Sequence, residues 1–327
     1  MARMADQAPV QAGLRIGVDL GGTKIAAVAM DAAGAIVASR RIATPAGDYE
    51  ATIAAIADLV TSLETEIGSR ASVGIGIPGT IVAATGLVKN ANSTWLIGKP
   101  LARDVEKALG RAARFANDAN CFALSEAIDG AASRYDTVFG VILGTGVGGG
   151  IVTGGRLLVG ANAIAGEWGH NPLPAPAAGE LPGPPCYCGR SGCIETFLSG
   201  PGLVADHLRY AGYRAERHGR AALSAPEIAA GARAGQDDCR ATITRYVERL
   251  ARALASVINL LDPDAIVLGG LSSLAILYEE VPRLWGRYVF SDTVVTRLLP
   301  PVHGDASGVR GATWLWPPGS TSADHRG

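Results

Sequence analysis

Cys186, Cys188 and Cys193 lie within the run PCYCGRSGC, a C-x-C-x4-C spacing that lets three thiolates converge on one ion. Gly189 and Gly192 allow the backbone to fold around it. Three thiolates call for a fourth ligand, and His170 is the nearest histidine upstream, so the pattern predicts a Cys3His tetrahedral zinc site. Four protein ligands leave no open position, which makes such a site structural. The competing reading is a set of buried or reactive thiols. Cys121 and Cys239 stand apart and read as isolated core cysteines.

Two glycine runs suit phosphate. In DLGGTK (19–24), Gly21 and Gly22 let the backbone approach phosphate oxygens with its N–H donors, and the Thr23 hydroxyl adds another donor. Lys24 closes the run, and Asp19 can hold magnesium through water. GTGVGGG (144–150) offers a second cradle at Gly144, Thr145 and Gly146. Its GTGVGG portion matches the dinucleotide pattern GxGxxG, but so does GIGIPG (74–79) despite a proline, and spacing alone cannot decide. Context argues against a dinucleotide domain, because that motif must open into a helix and residues 151–155 read as strand and hairpin turn. A Walker A loop is also excluded, since Gly17 to Lys24 ends in Gly-Thr-Lys rather than Gly-Lys-Ser/Thr. The plainer alternative is that these glycines only make tight turns. Asp118 has two readings as well: a carboxylate base facing a cleft, or a helix N-cap for Asn120 or Cys121.

The elements that must position these residues follow from pattern. Leu14–Leu20 and Lys24–Met30 read as a hairpin, Ala35–Ala43 as a third strand, Tyr49–Ile67 as a helix and Val73–Ile77 as a buried strand stopped by Pro78-Gly79. A helix over Leu101–Leu109 leads to a strand ending near Asn117, and Asp118 starts the next helix. The scheme then repeats: Val138–Leu143 is a strand, 144–150 a glycine turn and Ile151–Val159 a second hairpin. A polar, proline-rich insertion from about Asn171 to Pro185 precedes a largely helical stretch. There Ile243, Tyr246, Val247, Leu250, Leu254, Val257, Ile258 and Leu261 describe one helix face. Asp262-Pro263 ends it, Ile266–Leu268 makes a strand, Gly269-Gly270 opens the next turn, and a short helix lies around Val309–Trp316. Two α/β halves with matching glycine turns on opposite sides of a cleft suit a nucleotide.

Composition bounds the partners. The chain has 327 residues, 48 % hydrophobic and 18 % charged, enough for two packed domains. With 29 basic and 30 acidic residues, the net charge of -1 offers no cationic surface for nucleic acid or an anionic membrane. The amino-terminal MARMADQAPVQAG lacks the apolar centre of a signal peptide, and no stretch approaches the ~20 apolar residues of a membrane span. A cytoplasmic protein with small-molecule partners is expected.

DLGGTK, the NDA at 117–119, GTGVGGG, AGEWGH (165–170), CYCGRSGCIE (186–195) and the GG at 269–270 occur in an order that resembles the ROK family of bacterial sugar kinases and sugar-responsive repressors, over residues 14–317. Within that family NANSTWL (90–96), GEWGHNPLP (166–174) and HGDASGVRGATWLWP (303–317) resemble most the bacterial fructokinases, or mannofructokinases, with N-acetylglucosamine kinases next. Ile97 departs from the Asn that such fructokinases carry there. The resemblance implies an α/β, actin-like ATPase fold of two ribonuclease-H-like halves around a nucleotide cleft. It divides the chain into a small domain, 14–118, with a carboxy-terminal helix (306–317) packing back on it, and a large domain, 119–305, with the zinc loop. It makes Asp118 the general base and sets Asn117, Glu167, His170 and Glu195 around the sugar hydroxyls, so that His170 serves zinc and sugar together. The glycine loops then hold ATP phosphates, Mg2+ accompanies them, and Gly269-Gly270 approaches the adenosine. A homodimer or larger homo-oligomer is implied.

The expected reaction is phosphorylation of fructose to fructose 6-phosphate, with Asn92 and Ser93 bonding hydroxyls. Trp95 would wall off the 2-position, or alternatively be an ordinary core aromatic. N-acetylglucosamine or glucose kinase is the nearest alternative. A ROK repressor is disfavoured, because only 13 residues precede Leu14 and a DNA-binding helix-turn-helix does not fit there.

Overall fold

The computed structural model describes residues 10–215 and 223–317; the amino-terminal stretch read above as carrying no signal lies mostly outside them. Strands β1 (Val10–Leu20), β2 (Lys24–Met30) and β3 (Ile36–Ala43) are followed by helix α1 (Tyr49–Ile67) and strands β4 (Arg70–Ile77), β5 (Thr80–Ile81) and β6 (Val88–Lys89). Next come α2 (Leu101–Leu109), β7 (Arg114–Asn117), α3 (Asp118–Ile128), β8 (Thr137–Leu143), β9 (Val147–Thr153) and β10 (Arg156–Leu157). Helices α4 (Ile194–Leu198), α5 (Gly200–Ala215), α6 (Ala225–Arg233) and α7 (Asp237–Leu261) precede β11 (Ala265–Gly270), α8 (Ala275–Trp285), β12 (Arg297–Leu299) and α9 (Ser307–Thr313).

The chain divides into two compact units. One takes the residues up to Ser133, Gly155–Ala165 and those from Val302 onward; the other takes Arg134–Gly154 and Gly166–Pro301. Helix α3 thus goes with the first unit, whereas a division after Asp118 put it with the second.

In the first unit the strand order is β3-β2-β1-β4-β7. β1 runs antiparallel to β2 and parallel to β4, and β4 runs parallel to β7. Alternation along β1 buries Ile16, Val18 and Leu20, and the apolar stripe of α1, Ile53, Ile56, Val60 and Leu63, joins them in one core. Asp48 caps α1 by accepting from the Ala51 amide, and Gly68 ends it in the left-handed conformation. Helix α9, from far along the chain, lies against β1, β4 and α3. Contact is backbone to backbone: a Cβ on Gly74 would overlap the Ala312 carbonyl, and one on Gly311 would overlap that of Cys121. Glu126 on α3 then receives the amides of Val302 and His303 and the Ser307 hydroxyl, while Asp129 takes Arg310.

In the second unit β8 pairs antiparallel with β9 and parallel with β11, which pairs parallel with β12. The hairpin-then-parallel scheme of the first unit recurs, as the sequence echo predicts. The extent of the second glycine turn is corrected. β9 begins at Val147, so Gly148, Gly149 and Gly150 are strand, and only Gly144, Thr145 and Gly146 turn the chain. A strand rather than a helix follows this turn, which removes the dinucleotide reading. On α7 the expected face is buried at Ile243, Tyr246, Val247, Leu250, Leu254 and Ile258, with Val257 and Leu261 at its margin. Arg249 and Arg252 also lie buried on α7. Arg249 bonds Glu180 and Asp206, both at 2.7 Å, and Arg252 grips Glu180 with two bonds of 2.9 Å. The proline-rich insertion is thereby tied to the long helix. Among the described residues no helix is long and apolar enough to cross a membrane.

The α9 contact yields a stability test. Gly74→Ala should cost about 2 kcal/mol or more in denaturant unfolding, as overpacking does. At Gly286, where a Cβ meets nothing within 4 Å, Ala should leave stability unchanged or raised. Equal stabilities of the two variants would show that α9 does not need the glycine.

Candidate active site and metal centre

The first unit holds Asp118, Asn117, Asp19 and the DLGGTK loop. β7 ends at Asn117, whose Oδ1 accepts from the Ala119 amide at 2.9 Å and caps α3, while its Nδ2 donates to the Gly79 carbonyl at 3.1 Å. The cap is therefore Asn117, and Asp118 is the first helical residue, its carboxylate also receiving the Ala119 amide at 2.8 Å. Desolvation by the surrounding protein raises the Asp118 carboxyl above its ordinary range. The Ala119 amide and the Asn117 side chain oppose the shift, and the residue's exposure to solvent limits it. Asp19, at the end of β1, is pushed up to about 6 by burial and by the Asp118 charge, against the opposing pull of Lys24 and Arg41. A carboxylate poised near neutrality can move protons at physiological pH.

Gly22, Thr23 and Lys24 are exposed at the tip of the β1–β2 hairpin. The Gly21 amide donates to the Lys24 carbonyl at 3.0 Å. Thr44, just past β3, clasps the loop twice: its hydroxyl donates to the Gly21 carbonyl at 2.7 Å and its amide to the Thr23 carbonyl at 3.0 Å. Ser93 stands beside Gly22, whereas Asn92 is exposed and Trp95 packs against the first-unit core with its Nε1 buried and without a hydrogen-bond partner.

The second unit holds the other loop, Glu167, His170, Glu195 and the cysteines. Glu195, in the first turn of α4, accepts from the Val147 amide at 2.9 Å. A side chain on Gly146 would crowd that carboxylate, so the turn needs glycine for the contact. Glu167 and His170 flank Trp168, which edges onto Phe139 (centroids 5.6 Å apart) and donates from Nε1 to the Gly148 carbonyl at 3.1 Å. Gly269 is buried in β11 and Gly270 is exposed at its end. A cavity of about 450 Å3 lies close by, lined by Ala229, Ala232, Ile243, Thr244, Leu274 and Ile276.

His170, Cys186, Cys188 and Cys193 present donor atoms that all lie within 4.8 Å of one another. Cys188 and Cys193 sulfurs are 3.6 Å apart, and the Cys186 sulfur is 3.5 Å from His170 Nδ1. Sulfurs bound tetrahedrally to zinc at ~2.3 Å sit roughly 3.8 Å apart, so the four donors fit one ion. His170 Nε2 meets the Tyr187 hydroxyl at 3.0 Å. Tyr187, Thr44, Trp168 and the Glu180–arginine network were not singled out from sequence. Only the arginines had a signal there, two charges spaced i, i+3 on an otherwise apolar helix face.

Asp19 generates a pH prediction. Its carboxyl holds a proton in the folded state that the unfolded chain releases, so this contribution is present at low pH and is lost as pH rises from the ordinary Asp range through about 6. Asp19→Asn should therefore raise the melting temperature at about pH 8, with the gain shrinking toward about pH 4. Parallel stability profiles from thermal melts across that range would overturn it.

The pattern of the ROK family matches residues 15–318. The chain is 39 % identical over 304 residues to an N-acetyl-D-glucosamine kinase of Escherichia coli O127:H6 (strain E2348/69 / EPEC), covering 91 % of this chain and 98 % of that protein. Among solved structures, the ROK hexokinase from Thermus thermophilus superposes with a TM-score of 0.79 at 31 % identity, over 92 % of this chain and 97 % of that one. A ROK glucokinase from Streptomyces griseus, in complex with glucose and AMPPNP, gives 0.74 at 29 % identity, over 93 % and 99 %. The two sheets described above, each an antiparallel hairpin continued by parallel strands, follow the actin-like ATPase fold. Such a match along nearly the whole length means that this chain belongs to the ROK family.

Proposed function

We propose that the chain is an ATP-dependent hexose kinase with Asp118 as general base. The observation that carries this reading is the placement of Asp118 at the β7–α3 junction, ordered by the Asn117 cap and with its proton affinity raised. A sugar hydroxyl is a weak nucleophile, and phosphoryl transfer depends mainly on positioning and charge neutralisation. Asp118 accepts the hydroxyl proton as the sugar oxygen attacks the γ-phosphorus and the bond to the ADP oxygen breaks. Glu167, His170 and Glu195 orient sugar hydroxyls, and Asn117 serves chiefly by fixing Asp118, since both ends of its amide are engaged.

Backbone amides at Gly21, Gly22 and Thr23, together with Lys24, and those at Gly144, Thr145 and Gly146 receive phosphate oxygens. The apolar cavity beside α7, within reach of the chain leaving Gly269-Gly270, takes the adenine. Asp19 would hold Mg2+ through water, and the ion would neutralise phosphate charge.

The Cys3His cluster takes one structural zinc. Cys193 caps α4, which carries Glu195 in its first turn, so an ion bound there fixes that carboxylate without entering the chemistry.

Two sugars compete. The Asn90–Leu96 segment favours fructose, while the similar proteins named N-acetyl-D-glucosamine kinase, at 39–40 % identity over 98 % of their length, favour that sugar. Trp95 packs as a core residue, which removes the support for a wall closing the 2-position. N-acetylglucosamine therefore stands first and fructose second, with a 6-phosphate as product.

An ADP-release assay across a hexose panel should give the highest kcat/KM for N-acetylglucosamine, and turnover on no hexose would sink the kinase reading. Asp118→Asn should lower kcat by ~10²-fold or more with ATP binding retained. Near-normal turnover would remove Asp118 as base. Metal analysis should find one zinc per chain, and Cys188→Ser should release it and lower the melting temperature. Metal-free protein of full stability would refute the zinc site.

A further inference from the structure

We infer that Thr44 is a positioning residue that holds the DLGGTK loop open as an anion receptor, an inference that rests on the nucleotide reading above. In a closed two-residue hairpin, the residues flanking Gly22 and Thr23 would exchange two hydrogen bonds, Gly21 N–H to Lys24 C=O and Lys24 N–H to Gly21 C=O. The loop makes the first, at 3.0 Å. The second is missing, because the Gly21 carbonyl instead accepts the Thr44 hydroxyl at 2.7 Å. A trans peptide sets C=O and the following N–H on opposite sides, so turning the Gly21 carbonyl toward Thr44 aims the Gly22 amide the other way. The Thr23 carbonyl is turned toward the Thr44 amide in the same manner, which aims the Lys24 amide away from β3.

Among the described residues, the amides of Gly22, Thr23 and Lys24 make no hydrogen bond. Three successive donors exposed at one tip, two of them with directions fixed by Thr44, make a nest for phosphate oxygens. The Lys24 charge lies on the same tip.

Loss of the hydroxyl lets the Lys24 amide close on the Gly21 carbonyl, which removes one donor and turns another. The Thr44 backbone bond to Thr23 survives any substitution, so the effect belongs to the hydroxyl alone.

The test is calorimetric titration of the intact chain and its Thr44→Val and Thr44→Ser variants with a non-hydrolysable ATP analogue and, separately, with the best sugar of the panel. Thr44→Val should weaken analogue binding about tenfold, the worth of one such hydrogen bond. Sugar affinity should stay within about twofold, and Thr44→Ser, which keeps the donor, should bind the analogue within about twofold of the unsubstituted chain. Weakening of analogue binding by less than roughly fivefold in Thr44→Val, equal loss in Thr44→Ser, or an equal loss of sugar affinity would overturn the role. If the unsubstituted chain fails to bind the analogue, the nucleotide reading falls and the Thr44 role with it; normal binding that Thr44→Val leaves intact removes only the latter.

Discussion

Helix α9 approaches the first sheet closely enough for backbone contact because Gly17 and Gly74 on the strands present no side chain, and Gly311 on α9 lets it approach α3 in the same way. This approach joins the elements that carry Asp19 and Asp118. β1 delivers Asp19, β4 runs to the Pro78-Gly79 stop against which Asn117 is tied, and α3 begins with Asp118. The same helix touches all three elements. Two further anchors, Glu126 on α3 and Asp129 at its carboxy-terminal cap, fix the chain entering α9, whose Gly308 lies directly against the Asp19 carboxylate.

The second unit solves a different problem, that of ordering a long irregular segment. The Asn171–Pro185 stretch has little regular structure to hold it, and its restraint comes from Glu180 gripped by Arg249 and Arg252, with Asp206 pairing Arg249 and Arg245 beside them. Breaking such a buried set from one side leaves an uncompensated charge, which costs far more than the set adds over an apolar core. The Cys3His cluster adds a second restraint a few residues later, and the bond from Val147 to Glu195 connects the restrained loop to the glycine turn.

Much of the fold could be read from the sequence because local physics decided it. The β1–β2 hairpin, the 19-residue α1 with its Asp48 and Gly68 caps, and the apolar stripe of α7 each follow from periodicity and end signals. The cysteine spacing anticipated the cluster, and NDA placed Asp118 at its junction. Four things were not readable. Gly148–Gly150 form strand because pairing with β8 outweighs their poor strand propensity, a tertiary effect. The α8 helix hides behind Pro282 and a weak start. Asn117 rather than Asp118 caps α3, since either residue type can do so and only the backbone path selects one. Thr44 and Glu180 act over long separations, and no window of sequence contains both partners.

The position of α9 also bears on how the chain is made. Its residues leave the ribosome after the strands of both sheets, yet they cover part of the face formed by β1 and β4, both made within the first 77 residues. Until then Gly17 and Gly74 line an open trough, and the first unit has its α1 core but not its other face. The second unit, whose strands and helices lie between, meets no such wait apart from its own length. Vectorial synthesis therefore leaves the amino-terminal half unfinished the longest, an order set by two strand glycines, Gly17 and Gly74, whose open face α9 fills.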